Sequence, residues 1–150
     1  MWSANIDHVF LNKFTLKYEL DLDFVLFAIS SPLKDYRLCY FINKNAGLNL
    51  SKVDDHEAWL VNTDTPTHFS KFAHLSDESE TEFYLIANRG YGGGWLVPEM
   101  RQTDYFLLIK NFIDDDDLMA LDEGINAIGE VLVAGEIKPE KLKSKENLIF

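Results

Sequence analysis

Hydrophobic and polar positions alternate over residues 13–20, with Phe14, Leu16, Tyr18 and Leu20 on one side and Lys13, Thr15, Lys17 and Glu19 on the other. A period of two is that of a strand with one wet face. The run that follows, from Leu22 through Phe24, Val25, Leu26, Phe27, Ala28 and Ile29, is apolar on all sides. A buried strand and a short buried helix both permit such a run; with Asp21 or Asp23 as a cap, the reading leans to a short helix. Ser31 and Pro32 suit an N-cap and a first helical position. They open a helix expected over residues 32–45, stopped by Gly47 and burying Leu33, Tyr36, Cys39 and Tyr40. Residues 48–53 and 58–61 read as short strands, and residues 62–66 as a loop.

Residues 67–75 and 81–88 are strand-like and flank a polar five-residue turn, Ser76-Asp77-Glu78-Ser79-Glu80, the signature of a hairpin. The glycines of residues 90–94 make the next turn, Pro98 interrupts the ladder, and residues 104–110 form a strong strand. Leu118, Leu121, Ile125, Ile128 and Leu132 recur at steps of three and four, so a long helix is expected over residues 117–134, with one stripe on the sheet and Gly135 as its stop. Pro139 opens a short turn. No internal repeat or long linker divides the chain, which reads as one domain over residues 1–150. Hairpins in series with helices at either end indicate an α+β fold: a largely antiparallel sheet with two main helices packed on it.

Composition supports a folded core: 47% of the 150 residues are hydrophobic and 13% aromatic. The formal net charge is −11. Residues 136–150 carry four Lys against three Glu, or +1, which leaves −12 on residues 1–135. Phosphate contacts rest on Lys and Arg, so this balance argues against a nucleic-acid partner. It also argues against an anionic membrane surface. Cys39 is the single cysteine, which fits a reducing compartment. The opening residues have no basic and apolar regions of a signal peptide, and no apolar run is long enough to span a bilayer. The expected location is cytoplasmic.

The candidate sites are few. Asp114-Asp115-Asp116-Asp117 reads as a helix cap rather than a metal cluster. Asp54-Asp55-His56-Glu57 reads as a solvated loop, because adjacent residues point apart. His68 and His74, six residues apart within one strand, lie too far from each other to share a metal ion. Residues 90–94 lack the following helix of a phosphate loop. Cys39, mid-helix among apolar residues, reads as a small hydrophobe. No nucleophile, metal or cofactor pattern emerges. Two places remain. Asp35 and Arg37 flank Tyr36 near a helix start, where Arg37 is expected to pair with a nearby carboxylate rather than to bind an anion. Residues 97–105 hold Pro98, Glu99, Asp104 and Tyr105, where a carboxylate is expected to tie up free N–H groups of the turn and the tyrosine hydroxyl to be bonded. These six residues are the candidate binding set. No catalytic residue is assigned.

Here Val97-Pro98-Glu99, three intervening residues and Thr103-Asp104-Tyr105 resemble the signature of the IPExxxVDY family. The two departures, Val for Ile and Thr for Val, are β-branched and of similar size. Asp35-Tyr36-Arg37-Leu38-Cys39-Tyr40, Ile42-Asn43 and Glu146-Asn147-Leu148 are also similar, so the likeness runs over nearly the whole chain. The resemblance implies a bacterial source (Bacteroidota) and a cytoplasmic location, but no chemistry. Two functions are then open: a non-catalytic protein-interaction module, binding another protein or itself, and a small enzyme or ligand-binding protein using a carboxylate/Tyr/Arg pocket. Convergence of the candidate side chains in one pocket would favour the second. The apolar Leu148-Ile149-Phe150 is expected to be docked, on the chain's own sheet or on a neighbour.

Overall fold

A computed structural model describes residues 22–150; the strand expected over residues 13–20 and the opening residues lie outside them. The frame is a six-stranded sheet in the order β2-β5-β6-β7-β1-β8, antiparallel at every pairing. Its strands are β1 (Val25–Ser30), β2 (Ser51–Lys52), β5 (Lys71–Leu75), β6 (Glu82–Ala87), β7 (Tyr105–Lys110) and β8 (Val133–Ile137). A separate two-stranded sheet pairs β3 (His56–Ala58) with β4 (Thr67–Phe69). Two helices, α1 (Asp35–Ala46) and α2 (Asp115–Asn126), contact each other and the sheet. The fold is α+β.

Both sheet faces are covered, which explains the runs without periodicity. In β7, Tyr105, Leu107 and Ile109 meet the helices, while Phe106 and Leu108 face the opposite layer. β1 behaves alike, with Phe27 and Ile29 on the helical side and Leu26 on the other. Residues 22–29 therefore hold no short helix. A strand buried on both faces has no polar side, and β1 is fixed by ladders to β7 and β8.

The first helix starts at Asp35, three residues later than Pro32 suggests. Ser31 does not cap it. The serine is buried, its hydroxyl accepting from Leu33 N–H at 3.2 Å and donating to the Glu130 carbonyl at 2.9 Å. The left-handed Gly47 (φ +70°) ends α1, donating its N–H to the Asn43 carbonyl. The buried stripe is Leu38, Cys39 and Ile42. Tyr36 and Tyr40, expected in the core, lie about 200° around the helix from Leu38 and Ile42 and are 60% and 57% exposed.

α2 begins as the carboxylate run indicates: the Asp114 side chain accepts from Asp117 N–H at 2.8 Å. Leu121 and Ile125 are buried. Gly124 lets α2 approach α1, since a Cβ there would lie 2.9 Å from the Asn45 carbonyl oxygen. The helix stops at Asn126, well short of Ala134. Ile128 and Val131 stay buried in the turn that follows, but Leu132 is 77% exposed and Gly135 lies inside β8 rather than at a helix end. Beyond the helix, the β-branched pair Val131 and Val133 flanks Leu132, and the Leu132 N–H donates to the Ser30 carbonyl at 2.8 Å. Pairing with β1 overrides the helical spacing.

The opposite layer is built by the β3–β4 hairpin, Leu96, Val97, Leu142 and Leu148 against Leu26, Ile86, Phe106 and Leu108. The last residues dock on the chain's own sheet. Leu148 is fully buried, and Asn147 Nδ2 donates to the Leu96 carbonyl at 2.8 Å. The Phe150 ring meets Tyr84 edge-on at 5.0 Å, with the ammonium groups of Lys71 and Lys110 at 4.4 and 3.7 Å. His56 belongs to this layer and not to a solvated loop. It is buried, with Nε2 2.6 Å from the Asn147 carbonyl.

Candidate functional site

The connection from β6 to β7 is organised by Asn88, which has no exposed surface. Its Nδ2 donates to the Met100 and Thr103 carbonyls at 3.0 and 2.8 Å, and its Oδ1 accepts from Val97 N–H at 2.8 Å. Its main chain is bonded to Leu96 and Asp104. One amide thus ties down both ends of the segment that carries the signature-like residues. Within that segment Gly90 N–H donates to the Gly94 carbonyl at 3.0 Å, Gly92, Gly93 and Gly94 have positive φ, and Arg89 pairs with Trp95 across the turn.

The six candidate residues separate into two groups. Asp35, Asp104 and Tyr105 line one open pocket of about 410 Å³, with Pro32, Ser70, Arg89 and Tyr91. Asp104 Oδ2 accepts from Ser31 N–H at 2.8 Å, and Asp35 Oδ2 accepts from the Ser70 hydroxyl at 2.5 Å. The Tyr105 hydroxyl donates to the Leu33 carbonyl at 2.6 Å. Burial, with the Asp35 and Asp104 charges adding to it, pushes that phenol up to about 12, so it holds its proton.

The others lie outside this pocket. Pro98 opens a short 3-10 turn (Pro98–Met100), where its missing N–H costs nothing. Glu99 reaches the C-terminal segment, its two oxygens accepting from Ser144 N–H and hydroxyl, each at 2.9 Å. Partial burial acts to raise its pKa, but the bonds from Ser144 prevail and lower it. Its carboxylate thus serves a distant segment, Lys143 and Ser144, as well as the backbone N–H of Glu99 itself in the turn that carries it. Among the described residues, no carboxylate pairs with Arg37. Its guanidinium sits 5.4 Å from the Phe41 ring centroid.

Among the described residues, no group of three or more His, Cys, Asp or Glu side chains could hold a metal ion. Burial, the largest influence on Cys39, pushes its thiol up, as suits a small hydrophobe. The chain matches no family model, no curated protein and no solved structure. Sequence reasoning missed Asn88, Ser31, Ser70 and the arginine that does line the pocket, Arg89. The partners of Ser31 and Asp104 lie 99 and 73 residues away, so no local pattern marks them.

Proposed function

We propose that this chain is a non-catalytic, cytoplasmic protein-interaction module of the IPExxxVDY kind, binding a protein partner around the rim of the Asp35–Asp104–Tyr105 pocket. The observation that carries this reading is that the reactive-looking groups are committed to the chain's own backbone and hydroxyls. Asp104, Asp35, Tyr105 and Glu99 each hold a structural hydrogen bond. A general acid or base needs a group free to meet a substrate proton; in the pocket Asp104, Asp35 and Tyr105 already hold such bonds, and Glu99 lies outside it. Its lining instead includes Tyr91, exposed in the glycine turn, and next in sequence to the lining residue Asp35 stands the exposed Tyr36, one helical turn before the exposed Tyr40. Tyr and Arg are the residues that interfaces favour.

The test places a photo-reactive residue at Tyr40 in the native cell, identifies the cross-linked protein, and measures its binding with purified components. A single partner is expected, with affinity falling about tenfold or more in a Tyr36→Ala/Tyr40→Ala variant. A second copy of the chain as the cross-linked species makes the module self-associating. Absence of any cross-link from this face contradicts the proposal.

A further inference from the structure

Arg89 and Arg101 both come to rest on one indole. Their guanidinium carbons lie 4.9 and 5.9 Å from the Trp95 ring centroid. Two of the chain's three arginines thus meet at one exposed spot of a protein with net charge −11. Such charges would ordinarily be taken up by carboxylates of the same chain. Among the described residues, however, the ion-pair contacts are Lys52 with Asp55 and His68 with Asp55, and neither arginine has a carboxylate within reach. The carboxylates nearest in sequence are turned to other donors: Glu99 to Ser144 and Asp104 to Ser31 beside Arg101, and Glu82 to Tyr84 and Asn111 before Arg89. Asp35, which shares the pocket with Arg89, is held by Ser70 and the Tyr36 N–H. A guanidinium resting on an indole keeps its N–H fork for hydrogen bonding, and a carboxylate matches that fork in geometry and charge.

The platform is also held in place before any ligand arrives. Arg89 and Trp95 face each other across the glycine turn. Arg101 follows the 3-10 turn whose Met100 carbonyl is gripped by buried Asn88. Such preorganisation lowers the ordering cost of binding. We infer that Arg89 and Arg101, gathered on Trp95, anchor an acidic segment of the protein partner through its Asp or Glu carboxylates. This rests on the interaction reading above and names the chemistry of the partner. The acidic body of the chain does not prevent it, since at physiological salt charges beyond about 8 Å are largely screened.

The test is a selection of peptides from a random displayed library on the full chain at physiological salt, followed by affinity measurements on the winners. The expected winners are rich in Asp and Glu, with affinity lost about tenfold or more in Arg89→Gln/Arg101→Gln and partly kept in Arg89→Lys/Arg101→Lys. The lysine pair guards against loss through misfolding, because it retains the charge and the stem packing. Winners without acidic excess, or winners that bind the glutamine variant within about twofold of the parent, overturn the inference and leave the interaction reading standing. No winners at all would overturn both.

Discussion

His56 is neutral inside the fold. Burial is the largest influence on it and lowers its pKa, and Lys71 and Lys110 push the same way against the Asn147 carbonyl and Glu57. The carbonyl can only accept, so Nε2 carries the hydrogen and a second proton would have to go to Nδ1. The unfolded chain takes up that proton near pH 6.5 and the folded chain only at lower pH, so the stability held by neutral His56 is complete above about 6.5 and lost as pH falls below it. Urea melts between pH 7.5 and 5.5 should show a steeper loss for the parent than for His56→Gln; equal slopes would contradict this. Tyr105→Phe removes the bond to the Leu33 carbonyl and should cost about 0.5–1.5 kcal/mol. Asn88→Ala strands the Val97 N–H and the Thr103 carbonyl, while the Met100 carbonyl keeps the Thr103 N–H; it should cost about 2 kcal/mol or more at roughly 1–3 kcal/mol per unsatisfied group. A Tyr105→Phe melt indistinguishable from the parent would remove the structural role given to that hydroxyl.

At the scale of elements, the end of α2 offers a direct comparison. Ile128 and Leu132 share one helical stripe in the sequence, yet the first is buried and the second is not. Ile128→Ala should cost about 2–5 kcal/mol, and Leu132→Ala about 0.5 kcal/mol or less. Equal losses would mean that the helix continues through both. Features that depend on near neighbours were legible in the sequence: the carboxylate cap of α2, the Gly47 stop, the β5–β6 hairpin and the strong β7 strand. Features that depend on distant pairing were not. β1 lacks a polar side because layers made by other parts of the chain cover both its faces, and β8 exists because β1 offers it a ladder. Within the candidate site, Asp104 and Tyr105 were legible as a structured pair. Their partners, Ser31 and Leu33, sit more than 70 residues away, and nothing local announces Arg89 or the Asn88 staple.

Over the whole molecule, charge and surface divide the work. With −11 on the chain, no appreciable DNA or RNA binding is expected at physiological salt; a micromolar gel shift would contradict that. No helix among the described residues is long and apolar enough to cross a membrane. In the proposed reading the outer face of α1 and the margin of the pocket meet another protein, while Asp104, Tyr105 and Glu99 hold distant segments together. Titrating the cross-linked partner onto the parent, Tyr105→Phe and Tyr36→Ala/Tyr40→Ala separates these roles most directly. Tyr105→Phe should bind as the parent does despite a lower melting point, and the double tyrosine variant should lose about tenfold or more of affinity with its melt unchanged. Binding that fails in Tyr105→Phe and survives in the double variant would contradict the division and place function inside the pocket.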